Sequence, residues 1–98
     1  MSSKKSPIRC NQMTPGQYDR FLYDLLTYYQ EPHTIKEAKA ALTDYHPDDI
    51  KERTLTLLAA RMLTEATRGW WYETNEFGIA HRQNLARHRD LSIITMSR

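Results

Sequence analysis

A chain of 98 residues, 40% hydrophobic and 27% charged, is enough for one small folded domain and leaves no room for a second core. The net charge of +2 is below the strongly basic balance of many nucleic-acid binders. Its distribution is uneven, however: residues 1–49 carry six Lys/Arg against seven Asp/Glu, and residues 50–98 carry eight against five. A single cysteine, Cys10, excludes an internal disulfide, and no Cys/His set has zinc-finger spacing.

Residues 1–13 are polar and basic, with Lys4, Lys5 and Arg9, and carry no periodicity. They are expected to form a flexible arm, either solvated or lying along phosphates. Thr14, Pro15 and Gln17 then supply an N-cap, a first-turn proline and the far half of a capping box. The spacing predicts a helix over 15–30 with Tyr18, Phe21, Leu22, Leu25, Leu26 and Tyr29 on one broad apolar face, suited to core or to a dimer interface. Pro32 breaks it.

Thr34 and Glu37 form a second capping box, opening a helix over 35–42 that buries Ile35, Ala38, Ala41 and Leu42. A short connection leads to a third helix from Pro47 to about residue 60, with Asp48 and Asp49 at its positive end and Ile50, Thr54, Leu57 and Leu58 inward. Residues 63–73 read as a hairpin. Met62 and Leu63 enter the first strand, Arg68 and Gly69 make the turn, and Trp70, Trp71 and Tyr72 return. Strand alternation sends Trp70 and Tyr72 to one face and Trp71 to the other. A last helix is predicted over 75–89, with Phe77, Ala80, Leu85 and His88 near one face and His81, Arg82, Arg87 and Arg89 as an outer basic cluster. Residues 90–98 form an apolar C-terminal extension that either packs back or pairs with another subunit.

The run 49–54 through Leu57 to Met62 and Leu63 resembles the recognition helix and first wing strand of winged helix-turn-helix transcriptional regulators. Residues 71–78 are similar to that family's exit from the wing into a further helix. The resemblance covers residues 14–89, with two departures: Arg61 stands where a helix-ending glycine is common, and Thr43 where the inter-helix turn usually has one. It implies a mainly α fold with a small β-hairpin and binding of double-stranded DNA as a homodimeric regulator. Base and phosphate contacts are then expected from Lys51, Arg53 and Thr56 on the third helix, Arg68 at the wing tip and Arg82 on the last helix.

The alternative is a winged-helix module that binds a protein through its aromatic wing, Trp70, Trp71 and Tyr72, or through the first helix, and a third option is a phage-type inhibitor of a host protein. No nucleophile, paired carboxylate or phosphate loop has catalytic spacing, so neither an enzyme nor a bound cofactor or metal is expected. No apolar run approaches the roughly 18 residues of a membrane span, and the first residues lack a signal-peptide core, so a cytoplasmic protein is expected.

Overall fold

The computed structural model describes residues 7–66 and 71–97, with side chains described as far as Arg87. Four helices, α1 (Pro15–Tyr28), α2 (Ile35–Ala41), α3 (Pro47–Ala59) and α4 (Glu76–Ser97), pack around a small antiparallel sheet. Its strands are β1 (His33–Thr34), β2 (Leu63–Glu65) and β3 (Trp71–Thr74), in the order β1-β3-β2.

Both capping boxes form as the residue types dictate. The Thr14 hydroxyl accepts from the Gln17 amide at 3.1 Å while the Gln17 side chain accepts from the Thr14 amide at 2.9 Å. Thr34 and Glu37 repeat the exchange at 3.1 Å in both directions. α3 starts at Pro47 as expected, and its N-cap is His46, whose Nδ1 accepts from the Asp48 amide at 3.1 Å.

Besides a 3₁₀ turn at Cys10–Gln12 inside the expected arm, two elements differ from the sequence expectation. The first is β1, two residues that pair His33 with Tyr72 and Thr34 with Trp71. Pro32 drives the preceding backbone out of helical geometry, and the extended Thr34 serves both as strand residue and as N-cap of α2. The second is α4, which continues to Ser97 instead of ending near residue 89, since no glycine or proline follows Gly78 to stop it. The expected hairpin is present as β2 and β3, with Leu63 opposite Thr74 and Glu65 opposite Tyr72. Its turn at Arg68 and Gly69 lies outside the described residues.

The core sits where α1, α3 and the sheet meet. Phe21, Leu25, Leu26 and Tyr29 of the α1 face are fully buried, with Ala38, Ile50, Leu57, Leu63, Tyr72 and Leu85 around them. Most of the broad apolar face of α1 is therefore spent inside the chain, with Tyr18 and Leu22 half-buried at its edge. Ala41, expected to be buried, is exposed, and Phe77 is 62% exposed.

Arg61, flagged as a departure, closes α3 in the left-handed conformation at φ 66°. The Arg61 amide donates to the Leu58 carbonyl and the Met62 amide to the Leu57 carbonyl, the paired bonds of a Schellman ending with arginine at the glycine position. A non-glycine residue there costs about 1–2 kcal/mol, and the unfolded-chain entropy of glycine offsets about 0.5–1 of this. Arg61→Gly is thus expected to stabilise the fold by about 0.5–1 kcal/mol in urea unfolding at low protein concentration.

Candidate nucleic-acid interface

α3 turns Ile50, Thr54 and Leu57 into the core, which assigns its other residues to two flanks and an outer face. Lys51 and Leu58 lie on one flank, Asp49 and Arg53 on the other, and Asp48, Glu52, Leu55 and Thr56 between them. Lys51 and Arg53 are two residues apart and therefore about 160° apart around the helix axis, so they leave α3 on opposite flanks.

The Asp49 flank is covered by the chain's own N-terminal segment. Asp49, 6% exposed, accepts from Arg9 Nε at 3.2 Å and from the Cys10 amide at 2.9 Å. Ile8 donates its amide to the Asp44 carbonyl and forms a parallel bridge with Tyr45, and Cys10–Gln12 make a 3₁₀ turn. Residues 8–13 are therefore a strap across the start of α3. The sequence reading had placed them in a flexible arm, because their partners lie about forty positions away in the chain. Burial pushes the Asp49 carboxyl up, but the Cys10 amide and the Arg9 guanidinium outweigh it and hold it below the ordinary carboxylate range. Asp49 is thus a paired internal charge and adds little repulsion toward phosphate.

Arg53 belongs to the same covered flank. Its guanidinium lies over the Tyr18 ring, 5.2 Å from the centroid, and its Nε is buried without a hydrogen-bond partner. A contact from Arg53 to base edges would require it to leave this position. Cys10 lies beside it. Burial and the Asp49 charge push that thiol up against the opposing pull of Arg53, so it is not an activated nucleophile.

Arg82 is likewise held internally. Its Nε donates to Thr27 Oγ1 at 2.7 Å, one Nη donates to the Tyr23 hydroxyl at 3.1 Å, and the guanidinium stacks 4.7 Å from the Tyr23 centroid. It ties α4 to α1 and does not form an outer cluster with exposed Arg87. Tyr72 points inward, 6% exposed and edge-on to Tyr29 at 6.4 Å, so it is a core residue rather than a partner contact. Trp71, on the opposite side of β3, is half-buried. Arg68 and Trp70 lie outside the described residues, as do the Arg89 side chain and those beyond it.

Of the five expected DNA contacts, Lys51 and Thr56 remain exposed on α3, with Leu55 between them at 43% exposure. The Thr56 hydroxyl donates to the Glu52 carbonyl at 3.0 Å, which leaves its oxygen as an acceptor toward any ligand. Asp48 and Glu52 are exposed beside Lys51, so the described outer face carries more negative than positive charge.

Two of the histidines, His33 and His46, have structural partners. His33 Nδ1 is 3.1 Å from Glu37 Oε1 with its ring stacked 4.1 Å from Tyr28, and His46 caps α3. Among the described residues no group of three His, Cys, Asp or Glu side chains is placed to hold a metal ion, and no helix is long and apolar enough to cross a membrane. The chain matches no family model, no curated protein and no solved structure.

Proposed function

We propose that the chain is a small winged helix-turn-helix protein that binds double-stranded DNA through the outer face of α3, acting in the cytoplasm as a transcriptional regulator. The observation that carries this reading is the order helix, strand, helix, helix, strand, strand, with α2 and α3 joined by the short stretch 42–46 and the β2–β3 hairpin directly after α3. In this arrangement Lys51 contacts phosphate or guanine, Leu55 packs on a thymine methyl, and the Thr56 oxygen accepts from a base amino group. Arg68, which the sequence resemblance puts at the wing tip, would supply a backbone contact.

A second reading is favoured by the charge of the same face. Exposed Asp48 and Glu52 flank Lys51, and an acidic, partly apolar helix face suits a basic protein partner better than phosphate. One variant separates the two by sign. If duplex DNA is the ligand, Glu52→Gln removes a repelling carboxylate and tightens binding, whereas Lys51→Ala weakens it and flattens the log–log salt dependence by about 0.9. If a basic protein is the ligand, Glu52→Gln weakens capture and Lys51→Ala strengthens it. Mobility shifts with random duplex at two salt concentrations read both variants, and no shift by the wild type at low salt defeats the DNA reading.

A further inference from the structure

We infer that a second copy of this chain docks, through a two-fold axis, on the groove between the end of α3, β2 and the start of α4. A dimer is what the sequence resemblance implies; the surface that would form it is read from the structure and does not depend on DNA binding. The groove is open, about 510 Å³, with half-buried Leu58 as apolar lining, the core residue Leu63 beneath it, and Arg61 and Glu65 as its charged residues. Phe77 stands at its rim, 62% exposed, the most exposed large apolar side chain among the described residues.

The backbone that carries that ring is anchored. Asn75 Oδ1 accepts from the amides of Phe77 at 2.9 Å and Gly78 at 3.0 Å, while Asn75 Nδ2 donates to the Arg61 carbonyl at 2.7 Å and to Thr64 Oγ1 at 3.0 Å. One side chain thus ties the start of α4, the α3 ending and β2 together and sets where the Phe77 backbone leaves the sheet. An exposed aromatic on an anchored backbone beside a groove is the kind of anchor from which interfaces draw most of their affinity.

Self-association is the occupant that these features specify. A two-fold interface must present the same patch on both sides, so it needs a protrusion and its recess together, and opposite charges that exchange across the axis. Phe77 and the recess bordered by Leu58 supply the first requirement. Arg61 and Glu65 supply the second, and among the described residues neither has an ion-pair partner within the chain. Arg61 also occupies a backbone conformation that glycine would adopt with less strain. In the dimer each Phe77 enters the partner's groove, and each Arg61 faces the partner's Glu65.

Sedimentation from low micromolar to near-millimolar protein should show a monomer–dimer equilibrium. Phe77→Ala should weaken it by roughly thirtyfold or more, the loss expected for a central aromatic anchor, while leaving the thermal melt of the dilute protein in place. Arg61→Glu and Glu65→Arg should each remain monomeric alone, form heterodimers when mixed, and regain homodimers when combined in one chain. The mixing result is decisive, because an ion pair within one chain cannot produce it. A monomer at every concentration, a dimer indifferent to Phe77→Ala, or charge variants that fail to pair on mixing would each overturn the interface. Lys51→Ala should leave the dimer unchanged, so failure of the DNA reading and failure of this interface are separate results.

Discussion

Truncating Tyr29 to alanine is expected to destabilise the domain by about 3–5 kcal/mol, a large share of the roughly 5–15 that holds a domain folded. Tyr29 is fully buried where all three layers meet. Its hydroxyl is 3.1 Å from Thr54 Oγ1 of α3, its carbonyl accepts the Thr74 amide of β3 at 2.7 Å, and its ring is edge-on to Tyr28 and Tyr72. Alanine would leave a cavity the size of the ring and orphan the Thr54 hydroxyl. Tyr29→Phe keeps the ring and should cost only about 1–2 kcal/mol, as should Thr54→Val. The double variant leaves neither hydroxyl unpaired, so its loss should fall below the sum of the two by about 1 kcal/mol in urea unfolding. Additive losses would show that the two hydroxyls are not coupled.

The same residue predicts an alkaline limit. Burial pushes the Tyr29 hydroxyl from 10.0 up to about 12, with Thr54 pulling weakly the other way. The folded state therefore holds this proton more tightly than the unfolded chain. Its contribution is complete below pH 10 and is lost as pH rises towards 12. Tyr45, also pushed up by burial and by its bond to Asp24, contributes to the same window, so the measurement is the difference between wild type and Tyr29→Phe, which should narrow as pH rises through it.

What the sequence revealed about the fold follows the range of the interactions involved. The two capping boxes and the Pro47 start depend on residues within three positions of one another, and they set the beginnings of α1, α2 and α3 correctly. β1 was missed because two residues carry no period. The Arg9–Asp49 pair spans forty positions and converts an apparent arm into a strap, and nothing local to residues 8–13 announces it. Arg82 was assigned to a basic surface because its partners Thr27 and Tyr23 lie on a helix more than fifty positions earlier. The separation of Lys51 from Arg53 was legible in principle, since it follows from 3.6 residues per turn alone. Phe77 followed the apolar spacing of Leu85 yet points outward, because the Asn75 cap and the close approach at Gly78, not periodicity, set the angle at which α4 leaves the sheet.

That close approach gives the other large expected effect. Gly78→Ala should destabilise the fold by about 1–3 kcal/mol, although alanine is favoured over glycine in a helix interior by about 1 kcal/mol. A Cβ at Gly78 would lie well inside van der Waals contact with the Met62 carbonyl oxygen and 2.6 Å from Thr74 Cγ2. Neither neighbour is free to yield. The Met62 carbonyl accepts the Asn75 amide at 3.2 Å, and Thr74 is fixed by its hydroxyl on the Leu26 carbonyl at 2.9 Å and its amide on Tyr29. Relief must come from α4 moving off the sheet, which loosens the Asn75 lock and turns Phe77 away from its groove. At about 4–8 °C per kcal/mol for a domain of this size, the melting temperature should fall by several degrees or more. Gly16→Ala is the control, because a Cβ there meets nothing within 4 Å, and it should be neutral or stabilising. If both substitutions were equally harmless, the start of α4 would not be seated against Met62, and the Phe77 surface would lose the rigidity on which its docking role depends.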